Sequence, residues 1–85
     1  MQPNIFAIRI VLTNGYEGYF KFKGDGTWGW SLVEDVNEAS YFRTQQEAIQ
    51  EYRKHVTDYV VDQYGNKVYV DRSRCTITSC YNPGY

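Results

Sequence analysis

Apolar side chains fall on every second residue near the start of the chain, with Phe6, Ile8, Ile10 and Leu12 on one side and Ala7, Arg9 and Val11 on the other. A period of two turns one face of an extended strand toward a core. The pair that follows, Asn14-Gly15, suits the positive φ angles of a tight hairpin turn, with Gly18 available to relieve the return. A strand that buries one face and then reverses commits the chain to an antiparallel sheet. The alternation returns with Phe20 and Phe22 against Tyr19, Lys21 and Lys23, and Gly24-Asp25-Gly26 ends it. It returns again with Trp28, Trp30 and Leu32 against Thr27, Gly29, Ser31 and Val33. These three runs predict a three-stranded N-terminal meander.

The pattern then changes period. After an acidic, polar stretch, Tyr41-Phe42-Arg43 leads back to the core, and Thr44 with Glu47 forms a capping box, each side chain meeting a backbone N–H of the other. Ala48, Ile49, Tyr52, Val56 and Tyr59 follow at helical spacing, with Gln46, Gln50, Arg53 and Lys54 facing away. The helix end is open between His55 and Val61, because residues 56–61 are β-branched and aromatic and suit a strand as well. Runs at 59–62 and 67–71 flank Gly65-Asn66 and predict a second hairpin, with Val68 and Val70 on one face and Tyr69 on the other. Residues 75–78 offer a further short strand, and 80–85 have the composition of a loose tail. The expectation is one α+β domain over 1–85: an antiparallel sheet made of the meander, one helix packed on it, and a C-terminal β-hairpin.

At 85 residues there is room for one modest core. The 42% hydrophobic and 22% charged composition is that of a folding chain. A formal charge of -1 gives no global field toward nucleic acid or an anionic membrane. The longest apolar run, 5–12, is interrupted by Arg9 and falls well short of the roughly 20 residues of a membrane span. Met1-Gln2-Pro3-Asn4 opens no secretory signal. These features predict a cytoplasmic protein without membrane association. Cys75 and Cys80 would be reduced there, although their spacing permits a bridge if the chain turns between them.

The residues of catalysis are sparse. Structural zinc takes four ligands, and the chain offers Cys75, Cys80 and the single His55. His55 follows Arg53 and Lys54 at the predicted helix end, where it reads as a partly exposed residue favoured by the helix dipole. Neither cysteine has a positioned base beside it in sequence. Glu34, Asp35 and Glu38 could act as acid and base or hold a cation, but they read more simply as a solvated acidic loop. Gly24-Asp25-Gly26 joins strand to strand, whereas phosphate-cradling loops lead into helices. The prediction is a chain that is not an enzyme and carries no cofactor and no metal. Tyr19, Lys21 and Lys23, joined by Arg9, would make a small nucleic-acid surface, yet no RRM, KH or zinc-finger signature accompanies them.

Aromatic residues are what stand above background, at 18% with nine tyrosines. Trp28, Trp30, Phe6, Phe20 and Phe22, with Ile49, read as core. Tyr16, Tyr19, Tyr64, Tyr69, Tyr81 and Tyr85 fall in turns, on outer strand faces or in the tail, and exposed tyrosine is enriched where proteins meet partners.

The segment Asp35-Val36-Asn37-Glu38-Ala39-Ser40-Tyr41-Phe42-Arg43-Thr44-Gln45-Gln46-Glu47-Ala48 resembles a pattern found in small phage-encoded accessory proteins, where Asn-Glu-Ala-x-x-Phe-x-Thr-x-x-Glu-Ala leads from a sheet into a helix. That resemblance implies a small accessory protein of a phage or mobile element, a class that includes anti-CRISPR proteins and other inhibitors of host defence; with the sparse chemistry, the expectation is a non-catalytic inhibitor of the anti-CRISPR type that docks on a host protein. Combined with the exposed tyrosines, it predicts partner contacts from Tyr16, Tyr19, Lys21, Lys23, Glu34, Asp35, Glu38, Tyr64 and Tyr69. Two alternatives stay open: an oligomer that sequesters a small nucleotide at a subunit interface, and a weak single-stranded nucleic-acid binder. A homodimer is compatible with the first.

Overall fold

The computed structural model describes residues 5–22 and 30–80, with no description of the Cys80 side chain. In chain order it contains β1 (Ile5–Val11), β2 (Glu17–Phe22), β3 (Trp30–Val33), a 3-10 turn (Val36–Glu38), α1 (Gln45–His55), β4 (Tyr59–Val61), β5 (Lys67–Tyr69) and β6 (Thr76–Cys80). The expected strand at Trp28 and the Gly24-Asp25-Gly26 turn lie outside the described residues, as do Lys23 and residues 81–85. The α+β class is as expected, but the main sheet has four antiparallel strands in the order β3-β2-β1-β6. The three-strand meander is therefore incomplete: β6 returns to β1, pairing Ile5 with Cys80 through Arg9 with Thr76, so Cys80 ends a strand and does not begin a tail. β4 and β5 form a separate two-stranded sheet.

β1 is the spine, and each of its edges changes partner halfway along. Its second half pairs with β2 through Arg9–Tyr19, Ile10–Gly18 and Val11–Glu17. Nearer its start, Phe6 exchanges two backbone hydrogen bonds with Phe42, at 2.9 and 2.8 Å. Ser40 fills the wedge where β2 leaves β1: its N–H donates to the Phe20 carbonyl and its hydroxyl accepts from Phe22 N–H. On the opposite edge, β6 pairs with the first half of β1, and beyond it Thr13 N–H donates to Tyr69 O and Asp71 N–H to Val11 O. The second hairpin is thereby fastened to the end of the spine.

Both hairpins use the same turn. Leu12 N–H donates to Tyr16 O and Gly15 N–H to Leu12 O, with Gly15 at φ 90°. Asp62 N–H donates to Asn66 O and Gly65 N–H to Asp62 O, with Gly65 at φ 82°. In each, a glycine takes the left-handed position that closes a three-residue hairpin loop.

Ile8, Ile10, Leu12 and Phe20 on the sheet, Phe42 from the connecting loop, Ala48 from α1, Val56 just after it and Val70 after β5 form the core. Phe20 has no solvent exposure and stacks on Trp30 at 5.8 Å. Phe6, Phe22 and Trp30 pack half-buried at the core margin, while Ile49 borders a smaller cavity between α1 and β6. The opposite face of β1 is drier than its sequence suggests, since Ala7 and Val11 are also buried. Longer side chains flank them by register, Thr78 beside Ala7 and Glu17 beside Val11.

α1 begins at the expected cap, with Thr44 Oγ1 accepting from Glu47 N–H at 3.0 Å, and it stops at His55. Val56 turns extended, and the chain continues as strand, so β-propensity wins over the helical stripe. Tyr59 consequently lies on β4 and is exposed. His55 is the partly exposed last residue of the helix, its side chain 11% exposed, pairing with Glu51 at 2.9 Å and meeting the Phe22 ring edge-on at 5.2 Å. No described helix is long and apolar enough to cross a membrane.

Candidate functional site

The two hairpins reach the same end of the molecule and leave a groove of about 960 Å³ between them. Its floor is apolar: Leu12 and Leu32 from the sheet, with Val60 and Val68 from the second hairpin. Tyr16, Tyr59 and Tyr64 stand on its rim. Trp30 closes one side, its indole N–H donating to Thr57 Oγ1 at 3.3 Å while the Thr57 hydroxyl donates to the Tyr59 carbonyl. Tyr64 is the most exposed aromatic of the described residues, at 79%.

The rim's charge is acidic. Tyr16 donates its hydroxyl hydrogen to Glu34 at 3.3 Å, and desolvation, then the Glu34 charge, raises the Tyr16 pKa. Asp62 sits in the lining and accepts from the N–H groups of Tyr64 and Asn66, which fixes the tip of the second hairpin. Among the described residues the lining contains no Lys or Arg. A cation lies just outside it, with Lys67 Nζ 4.7 Å above the Tyr59 ring.

Of the sequence-predicted contact residues, the structure brings Tyr16 and Tyr64 to this groove, with Glu34 attached through Tyr16. Tyr69 is exposed on the hairpin and packs against Tyr59 at 5.9 Å. Asp35 caps the 3-10 turn by accepting from Asn37 N–H, and Glu38 is exposed in that turn. Tyr19 and Lys21 lie elsewhere, on the outer sheet face. There Tyr19 is half-buried and Arg9 is engaged in an ion pair with Glu17, so the small basic patch is partly neutralised. Lys23 lies outside the described residues.

Tyr59, Val61 and Trp30 were not expected to contribute here. The signal for Tyr59 and Val61 was present as strand alternation around Val60, but Tyr59 also completed the helical stripe. Exposed Tyr41 was likewise missed; its hydroxyl donates to Val36 O at 2.6 Å.

The acidic loop does not gather: among the described residues there is no cluster of three His, Cys, Asp or Glu side chains suited to a metal. Cys75 is a free thiol. Its Sγ accepts from Val11 N–H at 3.4 Å and donates to Asp71 O at 3.3 Å, apart from the His55–Glu51 pair on the aromatic side of α1. A bridge to Cys80 is geometrically closed off. The two residues bracket an extended strand of roughly 16 Å, against a disulfide Cα separation below roughly 7 Å.

The smaller cavity, about 280 Å³, holds Tyr52 between Arg72 and Cys75. Tyr52 Oη is enclosed and has no hydrogen-bond partner of good geometry among the described residues, although the Arg72 guanidinium, 5.3 Å from its ring centre, and the Cys75 thiol lie close enough to shift its titration. Burial, chiefly, raises the Tyr52 pKa, with Arg72 opposing. Replacing Tyr52 with Phe removes an unsatisfied buried hydroxyl, so the variant is expected to be about 1 kcal/mol more stable by urea unfolding at neutral pH. A raised folded-state pKa also means that the unfolded chain releases its proton first. Wild-type stability should therefore fall as pH rises above 10 toward the folded-state value, and Tyr52→Phe should flatten that fall.

Neither protein-family models, nor curated proteins, nor solved structures give a match to this chain.

Proposed function

We propose that this chain is a non-catalytic protein-binding module that holds a partner protein in the tyrosine-rimmed groove. One observation carries the reading: tyrosines from hairpins far apart in sequence, Tyr16 on the first and Tyr59 and Tyr64 on the second, meet around one apolar floor. Exposed aromatic rings offer large, rigid contact area at low entropic cost, and interface energy concentrates on such residues. In the more specific form suggested by the resemblance at residues 35–48, the partner belongs to a host defence complex and the chain inhibits it. The nucleotide-sequestering alternative is disfavoured because a phosphate would meet Asp62 and Glu34, with Lys67 over Tyr59 at the margin and no described basic residue in the lining itself.

The test is affinity capture from a bacterial lysate with wild-type chain and with Tyr16→Ala and Tyr64→Ala. Both side chains are exposed, so stability should change by less than about 0.5 kcal/mol. The captured partner should bind at least one of these variants about 30-fold more weakly, the size of an interface hot spot, while Lys21→Glu should bind as wild type. Equal capture by both tyrosine variants would refute the groove. Native mass spectrometry that retained a nucleotide in place of a protein would move the function to the alternative.

A further inference from the structure

The groove is lined by consecutive residues of two strands, Trp30, Ser31 and Leu32 of β3 on one wall and Tyr59, Val60 and Val61 of β4 on the other, where the turn residues 62–64 continue it. Alternate side chains of a strand point to opposite faces, so consecutive lining residues mean that the wall is a strand edge and not a strand face. Hydrogen-bond phase gives the direction of each edge. In the second hairpin, Asp62 bonds with Asn66 and Val70 with Asp58, and Val60 is registered with Val68 between them. That alternation leaves the backbone N–H and C=O of Tyr59 and Val61 pointing away from β5. Only the Tyr59 carbonyl has a described partner, the Thr57 hydroxyl. On the facing wall, Phe20 O and Phe22 N are used by Ser40, so β2 meets β3 through Tyr19–Val33 and Lys21–Ser31. Trp30 and Leu32 are left outward on that edge.

Two outward strand edges thus flank an apolar floor. β4 is short, but its edge carries no charge and no proline across Tyr59-Val60-Val61, and Val61 is 60% exposed. We infer, building on the protein-binding reading above, that the groove takes an extended segment of the partner protein as an added strand on β4, pairing with Tyr59 and Val61. Its alternate side chains are apolar, to fill the floor formed by Leu32, Val60 and Val68. It carries a basic residue as well, since the rim presents Asp62 and Glu34 and the described lining holds no cation of its own. Backbone pairing supplies affinity in such a mode, and the floor and rim supply selectivity.

The test uses the full chain, immobilised, against a displayed library of random octapeptides. Enriched peptides are then synthesised and their affinities measured against wild type, Val61→Pro and Val61→Ala. Proline removes the outward N–H at an exposed edge position where no internal hydrogen bond is lost; alanine keeps that N–H. Enriched peptides are expected to alternate apolar residues and to contain Lys or Arg. Val61→Pro should weaken them roughly tenfold or more, with an unchanged melting temperature, and Val61→Ala by less than about threefold. N-methylation along the peptide should abolish binding at every second residue only, a readout that does not depend on any variant folding. Failure to enrich any peptide, or binding indifferent to both Val61→Pro and N-methylation, would overturn the strand pairing. A dimer of the chain that Val61→Pro dissociates would assign the edge to a second copy and overturn it equally. If Tyr16→Ala and Tyr64→Ala weaken the peptides but Val61→Pro does not, the groove stands and only the pairing falls. The reverse pattern would reject the tyrosine rim as the source of binding.

Discussion

Phe20→Ala is expected to cost about 3 to 5 kcal/mol and to lower the thermal midpoint by roughly 15 to 30 °C. A domain of this length has roughly 4 to 13 kcal/mol of total stability, so the variant should sit at or near the edge of unfolding. The size follows from position. Phe20 is fully buried at the middle of β2, meeting Phe22 edge-on at 5.0 Å, Trp30 in a stack at 5.8 Å and Phe42 at 6.4 Å. Truncating it leaves a cavity between β2, β3 and the loop at Phe42 that cannot close freely, because Phe42 is tied to β1 through two backbone hydrogen bonds. Phe20→Leu, which refills part of the space, should recover about half of the loss. A circular-dichroism melt of Phe20→Ala within a few degrees of wild type would mean that the aromatic cluster is not the centre of the core.

The central strand, the cap at Thr44 and both hairpin turns were legible because each is specified locally: a period of two, a hydroxyl before a helix, a glycine at a left-handed position. What escaped was set by long-range pairing. Nothing near Thr76 in sequence says that it will register with Arg9, so the fourth strand of the sheet remained only a short optional strand. The same residues, 56–61, satisfied two periods at once. That conflict was settled by partners outside the segment: Val70 N–H bonds to the Asp58 carbonyl, and Val60 turns to the core. Tyr59 was therefore left between the helical stripe and the strand run, and with it one wall of the groove. Tyr16 and Tyr64 were readable as exposed because they sit beside turn glycines, but their meeting at one rim depends on where Val70 joins β1, a contact between chain segments 58 residues apart (70 − 12). The outer-face patch fared worse for a similar reason: Arg9 faces Glu17 only once the hairpin register is known.

Arg72 is the side chain that braces the second hairpin against α1, and its removal should loosen the groove more than the rest of the fold. One guanidinium nitrogen donates both to Val56 O at 2.9 Å and to Asp58 Oδ1 at 3.1 Å, while the group lies over the Tyr52 ring. The Asp58 pair is the conspicuous contact and the chief cause of the raised Arg72 pKa, but Asp58 is 83% exposed, so solvent screens the pair to about 0 to 1 kcal/mol. The carbonyl of Val56 is different. It belongs to a buried residue capping the C-terminus of α1, where the helix dipole favours a cation, and a charged hydrogen bond there contributes about 1.5 to 2 kcal/mol. The contact with Tyr52 adds about 0.5 kcal/mol. Arg72→Ala should thus cost about 2 to 3 kcal/mol, whereas Asp58→Asn, which leaves the Val56 contact in place, should cost less than about 1 kcal/mol. Because Arg72 joins the end of α1 to the segment after β5, the loss should fall unevenly. Hydrogen exchange is expected to accelerate at Val60 and Val68 while Ile10 and Gly18, paired between β1 and β2, keep their protection. Partner binding in the groove should weaken along with that hairpin. Equal destabilisation by Asp58→Asn and Arg72→Ala would show instead that the surface ion pair, and not the helix-end carbonyl, holds the hairpin in place.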